Sequence, residues 1–216
     1  MRKLLASSAL VLAFAAPGAV AAQQLTFSGG VSLKSEYVAS GLKQSDGPAL
    51  QAYIEGEANG FYFGAWVSNT SDTVATGPGA KSEIDLYVGY RNEVGKFNYD
   101  IGYARYFYQN PRSNCCGEVI LNLGYSVTDA LSMGVRVAHD TTFKTTNTSL
   151  NAGYALTDKF ALDATYGKIN KGGRTYWAVG GSYAINDSFG VGLAYHDTDV
   201  SKGLAVLSLD YSFSFR

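Results

Sequence analysis

The sequence predicts an all-β chain, a transmembrane antiparallel up-and-down β-barrel of about twelve strands. Three observations predict it. Apolar and polar residues alternate in short runs from residue 25 to residue 215, as in strands with one apolar and one polar face. A hairpin sequence at 121–129 recurs about thirty residues later at 150–158, with a looser copy at 181–189. Short turns and longer loops alternate between the runs.

The first 22 residues are predicted to be a signal peptide that is cleaved off, which leaves a barrel over 23–216. Arg2 and Lys3 precede an apolar stretch at 4–16, and small residues at 19–22 form the cleavage site. The apolar stretch is too short to cross a bilayer as a helix. No later run reaches the roughly 18–20 apolar residues that a membrane-spanning helix needs. We therefore expect an exported chain without a transmembrane helix.

The composition favours strands and argues against nucleic-acid binding. The 216 residues include 25 Gly, 16 Tyr and 11 Phe but only 4 Pro and 2 Met. Aromatic residues suit strands, and glycines suit tight β corners. With 17 Lys and Arg against 18 Asp and Glu, the chain is nearly neutral and has no basic patch.

The individual strands are predicted from the alternation. The twelve runs lie at 25–39, 50–58, 61–69, 83–91, 97–108, 119–127, 131–139, 148–156, 160–169, 177–185, 189–196 and 204–215. Asn59-Gly60 between the second and third runs is a strong signal for a two-residue hairpin. The third run has an ambiguous phase, because Trp66 fits either the inner or the outer face. Ten strands therefore stay open as an alternative to twelve.

The connections between these runs differ in length in a regular way. Short ones lie at 59–60, 92–96, 128–130, 157–159 and 186–188. Longer ones lie at 40–49, 70–82, 109–118, 140–147, 170–176 and 197–203. Outer-membrane barrels combine short periplasmic turns with longer external loops, and a soluble sandwich has no reason to do so. The cell outer membrane is the predicted location.

Tyrosine and phenylalanine residues concentrate at the ends of the runs, which indicates two aromatic girdles at the membrane surfaces. The girdle near the short turns comprises Phe61, Tyr90, Phe97, Tyr125, Tyr154, Phe160, Tyr183, Phe189 and Phe215. The outer girdle comprises Tyr37, Tyr103, Phe107, Tyr166, Trp177 and Tyr195. The alternative is a soluble exported β-barrel of lipocalin type, in which these rings pack a protein core.

Several segments resemble a known family. They are SEYV at 35–38, Gly41, QSDGPALQ at 44–51, GFYFGAWVSN at 60–69 and EIDLYVGY at 83–90. The sequence resembles the Gcw_chp group of bacterial proteins, also called TorF-family porins, best over 31–108. The resemblance departs at Ala39-Ser40, where the family pattern has an aromatic residue and an arginine. It implies an outer-membrane barrel and brings no catalytic residues.

The polar phase of each strand should face the barrel interior. The candidate lumen-lining residues are the carboxylates Glu36, Glu55, Glu57, Glu83, Asp85, Asp100, Asp163 and Asp210 and the cations Lys34, Arg91 and Arg136. Twelve strands lie between about eight, whose interior is filled by side chains, and about sixteen, which leave an open channel. A narrow, net-acidic pore for passive diffusion of small solutes, favouring cations, is the leading hypothesis. The alternative is a structural or adhesive barrel whose lumen is plugged by salt bridges.

Enzyme chemistry is the further alternative, and the sequence gives it little support. His139 and His196 each precede an aspartate at the end of a predicted strand. They fall on opposite phases, however, so they should not converge on a metal or an acid–base site. We expect no catalytic residues, no metal and no cofactor. The adjacent Cys115 and Cys116 are not expected to form a disulfide with each other.

The expected partners follow from the predicted location. They are outer-membrane lipid and lipopolysaccharide, the barrel-assembly machinery and a small-molecule or ion solute, with no nucleic acid. The alternating aromatic run at 207–215 is the feature that the assembly machinery should read.

Overall fold

A computed structural model describes residues 25–73, 76, 79–109 and 114–215, so the predicted signal peptide lies outside the described residues. Its strands are β1 (Thr26–Lys34), β2 (Val38–Ala39), β3 (Leu42–Lys43), β4 (Ala49–Ala58), β5 (Phe61–Asn69), β6 (Ser82–Val94), β7 (Phe97–Gln109), β8 (Cys116–Ser126), β9 (Leu131–Asp140), β10 (Thr146–Ala155), β11 (Phe160–Ile169), β12 (Thr175–Ala184), β13 (Phe189–Thr198) and β14 (Ser201–Phe215). Twelve of them close into one antiparallel barrel in the order β1-β14-β13-β12-β11-β10-β9-β8-β7-β6-β5-β4. The short β2 and β3 pair only with each other.

The predicted fold class is confirmed, and twelve strands rather than ten form the barrel. The ambiguous third run is β5, which lies between β4 and β6. Tyr62 and Ser68 are buried on one face of β5, whereas Phe61 and Phe63 are exposed on the other. Trp66 shares the phase of Tyr62 and Ser68, so its ring points inward.

The first and the last long connection differ from the sequence-based expectation. β1 ends at Lys34 instead of continuing to residue 39, and the chain leaves the wall there. The stretch at 197–203 is not a longer loop, because β13 continues to Thr198 and β14 begins at Ser201. The predicted turn at Asn59-Gly60 is present, with φ of 53° and 81° at its two residues. Positive φ at both positions is what a type I′ hairpin requires.

Burial is inverted relative to a water-soluble protein. Large apolar side chains point away from the barrel, as at Leu50, Leu150 and Leu207, which are 57%, 59% and 61% exposed. Fully buried positions include charged residues such as Glu83 and Asp100, at 3% and 2% exposure. An apolar belt around a polar interior is the surface that lipid covers in a transmembrane barrel.

No helix among the described residues is long and apolar enough to cross a membrane.

Aromatic rings cluster at the two ends of the barrel. At the end with the short turns, Phe61 contacts Tyr90 with ring centroids 4.8 Å apart. At the opposite end, Trp177 contacts Tyr195 at 5.6 Å. Tyr37 does not join the outer girdle, because the chain has left the wall after Lys34; its ring packs on the inward-facing Trp66, 5.4 Å away.

Candidate functional site

The barrel interior collects almost all of the residues that the sequence nominates as lumen-lining. Those on the inward phase of the strands are Lys34 on β1, Glu55 and Glu57 on β4, Glu83, Asp85 and Arg91 on β6, Asp100 on β7, Arg136 on β9, Asp163 on β11 and Asp210 on β14. Glu36 is the exception. It follows the end of β1 and belongs to the first long connection.

An arginine-centred cluster fills the interior beside β4–β7, near the short turns. Arg91 Nη2 donates to Glu55 Oε1 at 2.6 Å, and Arg91 Nε lies 3.6 Å from Glu57 Oε2. The same guanidinium lies over the Tyr62 ring, 3.9 Å from its centroid. The Tyr62 hydroxyl donates to Asp100 Oδ1 at 2.6 Å. This arginine cluster (Glu55, Glu57, Tyr62, Arg91 and Asp100) therefore holds its charged side chains by ion pairs and a hydrogen bond, and it occupies one side of the interior.

A second group of carboxylates lies nearer the longer loops, among tyrosines. Tyr108 donates to Glu83 Oε1 at 2.8 Å, and Tyr106 donates to Glu118 Oε2 at 2.7 Å. Arg136 Nη2 lies 3.8 Å from Glu118 Oε2 and is the only cation in an ion pair with this group among the described residues. Asp85 lies in register between Trp66 and Tyr106 on the neighbouring strands. This part of the interior is therefore net acidic.

Glu118 and the inward tyrosines are residues that sequence reasoning missed. Glu118 was assigned to a loop, but β8 already begins at Cys116 and carries it in the wall. The alternation of Glu118, Val119 and Ile120 continues the pattern of the strand and could have revealed it. Tyr106 and Tyr108 share the phase of Asp100 on β7, which was the available signal for their inward direction.

The first long connection, residues 35–48, crosses the mouth of the barrel, and we call it the strap. Its roots are the two ends that join β1 and β4. Its tip, at Ser40 and Gly41, lies against the part of the wall opposite these roots. Arg174 Nε donates to the Ser40 carbonyl oxygen at 2.6 Å, and Asn147 Nδ2 donates to Ser40 Oγ at 3.0 Å. Gly41 adopts a φ of +80°, and a Cβ there would lie 2.8 Å from the Cβ of Tyr176. The tip is thus seated closely on β10 and β12.

The roots of the strap are held on the β5–β6 side. The Tyr37 amide donates to Ser45 Oγ at 2.8 Å, and Ser45 is only 1% exposed. Lys43 bridges Glu36 Oε1 at 2.6 Å and Asp46 Oδ1 at 3.2 Å. Hydrogen bonds to these two carboxylates raise the pKa of Lys43 above its ordinary value. Glu36 is therefore a structural residue of the strap, and its assignment to the inner wall is wrong, because the chain leaves β1 two residues earlier.

The inner face of β10–β13 near the short turns forms a small-residue wall. Its inward positions are Gly153, Ala155, Ala161, Asp163, Gly180, Ser182, Ala184, Gly190, Gly192 and Ala194. Asp163 is the one charged residue of this set. Side chains of this size project little into the interior, so this side is open where the arginine cluster side is filled.

The remaining interior charges on the adjoining strands are hydrogen-bonded or buried. Ser208 Oγ donates to Asp210 Oδ2 at 2.8 Å, and Ser32 Oγ donates to Asp210 Oδ1. Lys34 is 7% exposed at the end of β1.

The two histidines do not meet. His139 is exposed on the outward phase of β9, with Nδ1 3.0 Å from Thr146 Oγ1. His196 lies on the inward phase of β13. The described residues contain no group of three or more His, Cys, Asp or Glu side chains placed to hold a metal ion.

Cys115 and Cys116 form a disulfide with each other, with Cα atoms 3.7 Å apart. The expectation that these neighbours do not pair is therefore wrong. The Cys115 amide donates to the Tyr106 carbonyl oxygen at 3.1 Å, where the chain turns into β8.

The sequence profile of Gcw_chp, described as a bacterial protein of unknown function, matches residues 18–212. The chain belongs to the Gcw_chp family. The match confirms the resemblance seen in the sequence segments between residues 35 and 90. No curated protein matches this Gcw_chp sequence.

Solved structures show the same fold as this Gcw_chp chain. The KdgM porin superposes with a TM-score of 0.65 at 12% identity, covering 88% of this chain and 99% of that one. The NanC porin superposes with a TM-score of 0.54 at 16% identity, covering 89% and 99%. A second KdgM structure, with a TM-score of 0.64, is a complex with disordered oligogalacturonate. The fold is that of an outer-membrane porin barrel.

Proposed function

We propose that this Gcw_chp protein is a narrow passive channel of the bacterial outer membrane that favours small cations. The observation that carries the proposal is the charge of the inner wall. Carboxylates outnumber cations there; the carboxylates are Glu55, Glu57, Glu83, Asp85, Asp100, Glu118, Asp163 and Asp210, and the cations are Lys34, Arg91 and Arg136. A net-negative wall in a confined pore lowers the energy of a passing cation and raises that of an anion.

The interior supports a narrow channel rather than a wide one. The strap crosses one mouth, and the arginine cluster occupies one side of the other half. The side lined by β10–β13 carries mostly small residues in the half near the short turns. We therefore expect ions and small solutes to pass and bulky ones to be excluded.

Planar-bilayer recording tests both parts of the proposal. The purified full-length mature chain is inserted into a neutral bilayer under a KCl gradient. We expect steady single-channel currents and a reversal potential displaced toward the K⁺ equilibrium potential. An absence of current argues against the channel, and a reversal potential on the Cl⁻ side argues against cation preference.

The second candidate is a structural or adhesive barrel with a plugged lumen. The seated strap and the ion-paired arginine cluster favour it. Liposome swelling distinguishes the two, because only an open channel admits a small neutral sugar. A comparison of neutral and anionic sugars of equal size adds a second check, since the acidic wall should slow the anionic one.

The proposal places the chain among outer-membrane lipid and lipopolysaccharide and makes the barrel-assembly machinery its folding partner. It includes no covalent chemistry, and the separated histidines support that. Extraction without detergent tests the location: the exposed apolar belt should keep the chain in the membrane fraction. Release into plain buffer as a folded monomer would favour the soluble-barrel alternative.

A further inference from the structure

The half of the barrel near the short turns is asymmetric. On the β4–β7 side, Arg91, Glu55 and Tyr62 extend into the interior and hold one another by contacts of 2.6 Å and 3.9 Å. On the β10–β13 side, the small-residue wall presents mainly glycine, alanine and serine. An ion that crosses this half of the barrel therefore has more room along the small-residue wall than beside the arginine cluster.

Asp163 stands in that wall with its carboxylate uncovered. Its register partners are Gly153 on β10 and Gly180 on β12, and neither has a side chain that could cover it. A Cβ at Gly180 would lie 2.9 Å from Asp163 Oδ1 and 3.2 Å from the Cβ of Ala194. The carboxylate thus lies directly over Gly180. It receives no hydrogen bond or ion pair from any residue in the described part of the chain, and it is half-buried.

The other interior carboxylates each have a hydrogen-bond or ion-pair partner or are shut off from solvent. Glu55 and Glu57 are paired with Arg91, and Asp100 accepts from Tyr62. Glu83 and Glu118 accept from tyrosines. Asp85 shares with Asp163 the lack of a hydrogen bond from a described residue, but its Oδ1 is shut off from solvent.

We propose that the conducting path follows the small-residue wall and that Asp163 sets the cation preference of the channel. This inference rests on the proposed function and names the residue and the side of the barrel that carry it. An uncompensated charge beside a confined path acts at full strength on each passing ion, whereas a charge inside an ion pair acts as a weak dipole. Asp163 is therefore a specificity-determining residue.

Replacement of the charge is the first test. Asp163→Asn keeps the shape of the side chain and removes its charge. We expect the K⁺/Cl⁻ permeability ratio to fall by about threefold or more, as a unit charge a few ångströms from an ion implies even in a water-like dielectric. Asp163→Lys should move the reversal potential further toward Cl⁻. The matched control is Glu57→Gln, which removes the same charge from the arginine cluster side and should change the ratio less.

Cysteine labelling locates the path independently of charge. Ala194→Cys lies beside Asp163, and Ala104→Cys is an inward alanine on β7 that is 6% exposed. Cys115 and Cys116 are disulfide-bonded, so neither offers a free thiol. A bulky charged methanethiosulfonate reagent should reduce the current of Ala194→Cys and leave that of Ala104→Cys unchanged.

The outcomes distinguish a failure of the channel from a failure of the role of Asp163. A wild-type protein without current refutes the channel itself. A cation-selective wild type whose selectivity is the same in Asp163→Asn overturns the role of Asp163. Labelling that reduces the current of Ala104→Cys but not that of Ala194→Cys overturns the path. The heat-modifiable electrophoretic mobility of each variant verifies that it folds.

Discussion

The seat of the strap determines how open the barrel mouth is, and its anchors can be removed. Arg174 Nε donates to the Ser40 carbonyl oxygen at 2.6 Å, and Asn147 Nδ2 donates to Ser40 Oγ at 3.0 Å. Both donors lie outside the strap, more than a hundred residues from it in sequence. The double variant Asn147→Ala/Arg174→Ala removes both bonds and leaves the sequence of the strap unchanged.

The size of the effect follows from these two bonds. A bond from a charged donor contributes about 2 kcal/mol and a neutral one about 1 kcal/mol. Loss of about 3 kcal/mol from the seated state raises the ratio of detached to seated strap by about two powers of ten, since about 1.4 kcal/mol is a factor of ten. The contacts at the roots of the strap, such as Tyr37 to Ser45, remain. We therefore expect the strap to swing about its roots and not to unfold.

Single-channel recording measures the result. The double variant should show a larger conductance, or long-lived openings of larger size, than the wild type. Lys171→Asn is the control, because it removes a positive charge from the same loop at an exposed position. A Ser40→Cys/Asn147→Cys pair, oxidised to a disulfide, should fix the small conductance. If neither detaching nor fixing the strap changes the current, the strap is not what narrows the channel.

Three further predictions follow from the interior and the outer surface. Arg91→Met should lower the free energy of unfolding by about 2–3 kcal/mol, because it leaves Glu55 and Glu57 without their cation. Lys168→Met, at an exposed outward-facing position on β11, should change the free energy of unfolding by no more than about 0.5 kcal/mol. Denaturant titration of the protein in detergent measures both. Trp177 is exposed on the outer surface and Trp66 points inward. Brominated lipid should therefore quench the fluorescence of Trp66→Phe, which retains Trp177, and leave that of Trp177→Phe, which retains Trp66, nearly unchanged. Equal quenching would contradict the assigned phases. Gly41→Ala should raise the conductance, because its Cβ would lie 2.8 Å from the Cβ of Tyr176 and would push the tip of the strap off the wall. Gly47→Ala is the matched control: Gly47 also has a positive φ, 102°, but a Cβ there would have nothing within 4 Å, so the conductance should not change.

The strands were predictable because their signal is local. Alternation along each strand reports which side chains face lipid, and lipid is a uniform partner that requires no knowledge of the rest of the fold. The inward phases of Glu55, Arg91 and Asp163 follow from that alternation alone. Even the turn at Asn59-Gly60 depends only on two residues that tolerate positive φ.

The strap was not predictable, because its partners are distant in sequence. Residues 35–39 continue the alternation of β1, and nothing local distinguishes them from wall. They turn inward because Ser40 accepts hydrogen bonds from Asn147 and Arg174. The same reason explains Glu36, whose partner Lys43 lies seven residues away on the other arm of the strap. The girdle assignment of Tyr37 failed likewise, since its ring meets Trp66 only after the strap folds in.

The seam between β1 and β14 has a consequence for biosynthesis. Val31 pairs with Tyr211 and Leu33 with Leu209. The first barrel strand to be synthesised, β1, therefore obtains one of its two neighbours only when the last strand, β14, is made. Until β1 and β14 pair and close the barrel, both strands have unpaired backbone amides and carbonyls that hydrocarbon cannot solvate. A chain truncated at its C-terminus should therefore not fold into a smaller barrel. Quality control in the periplasm would encounter it as an open sheet with two unpaired edges.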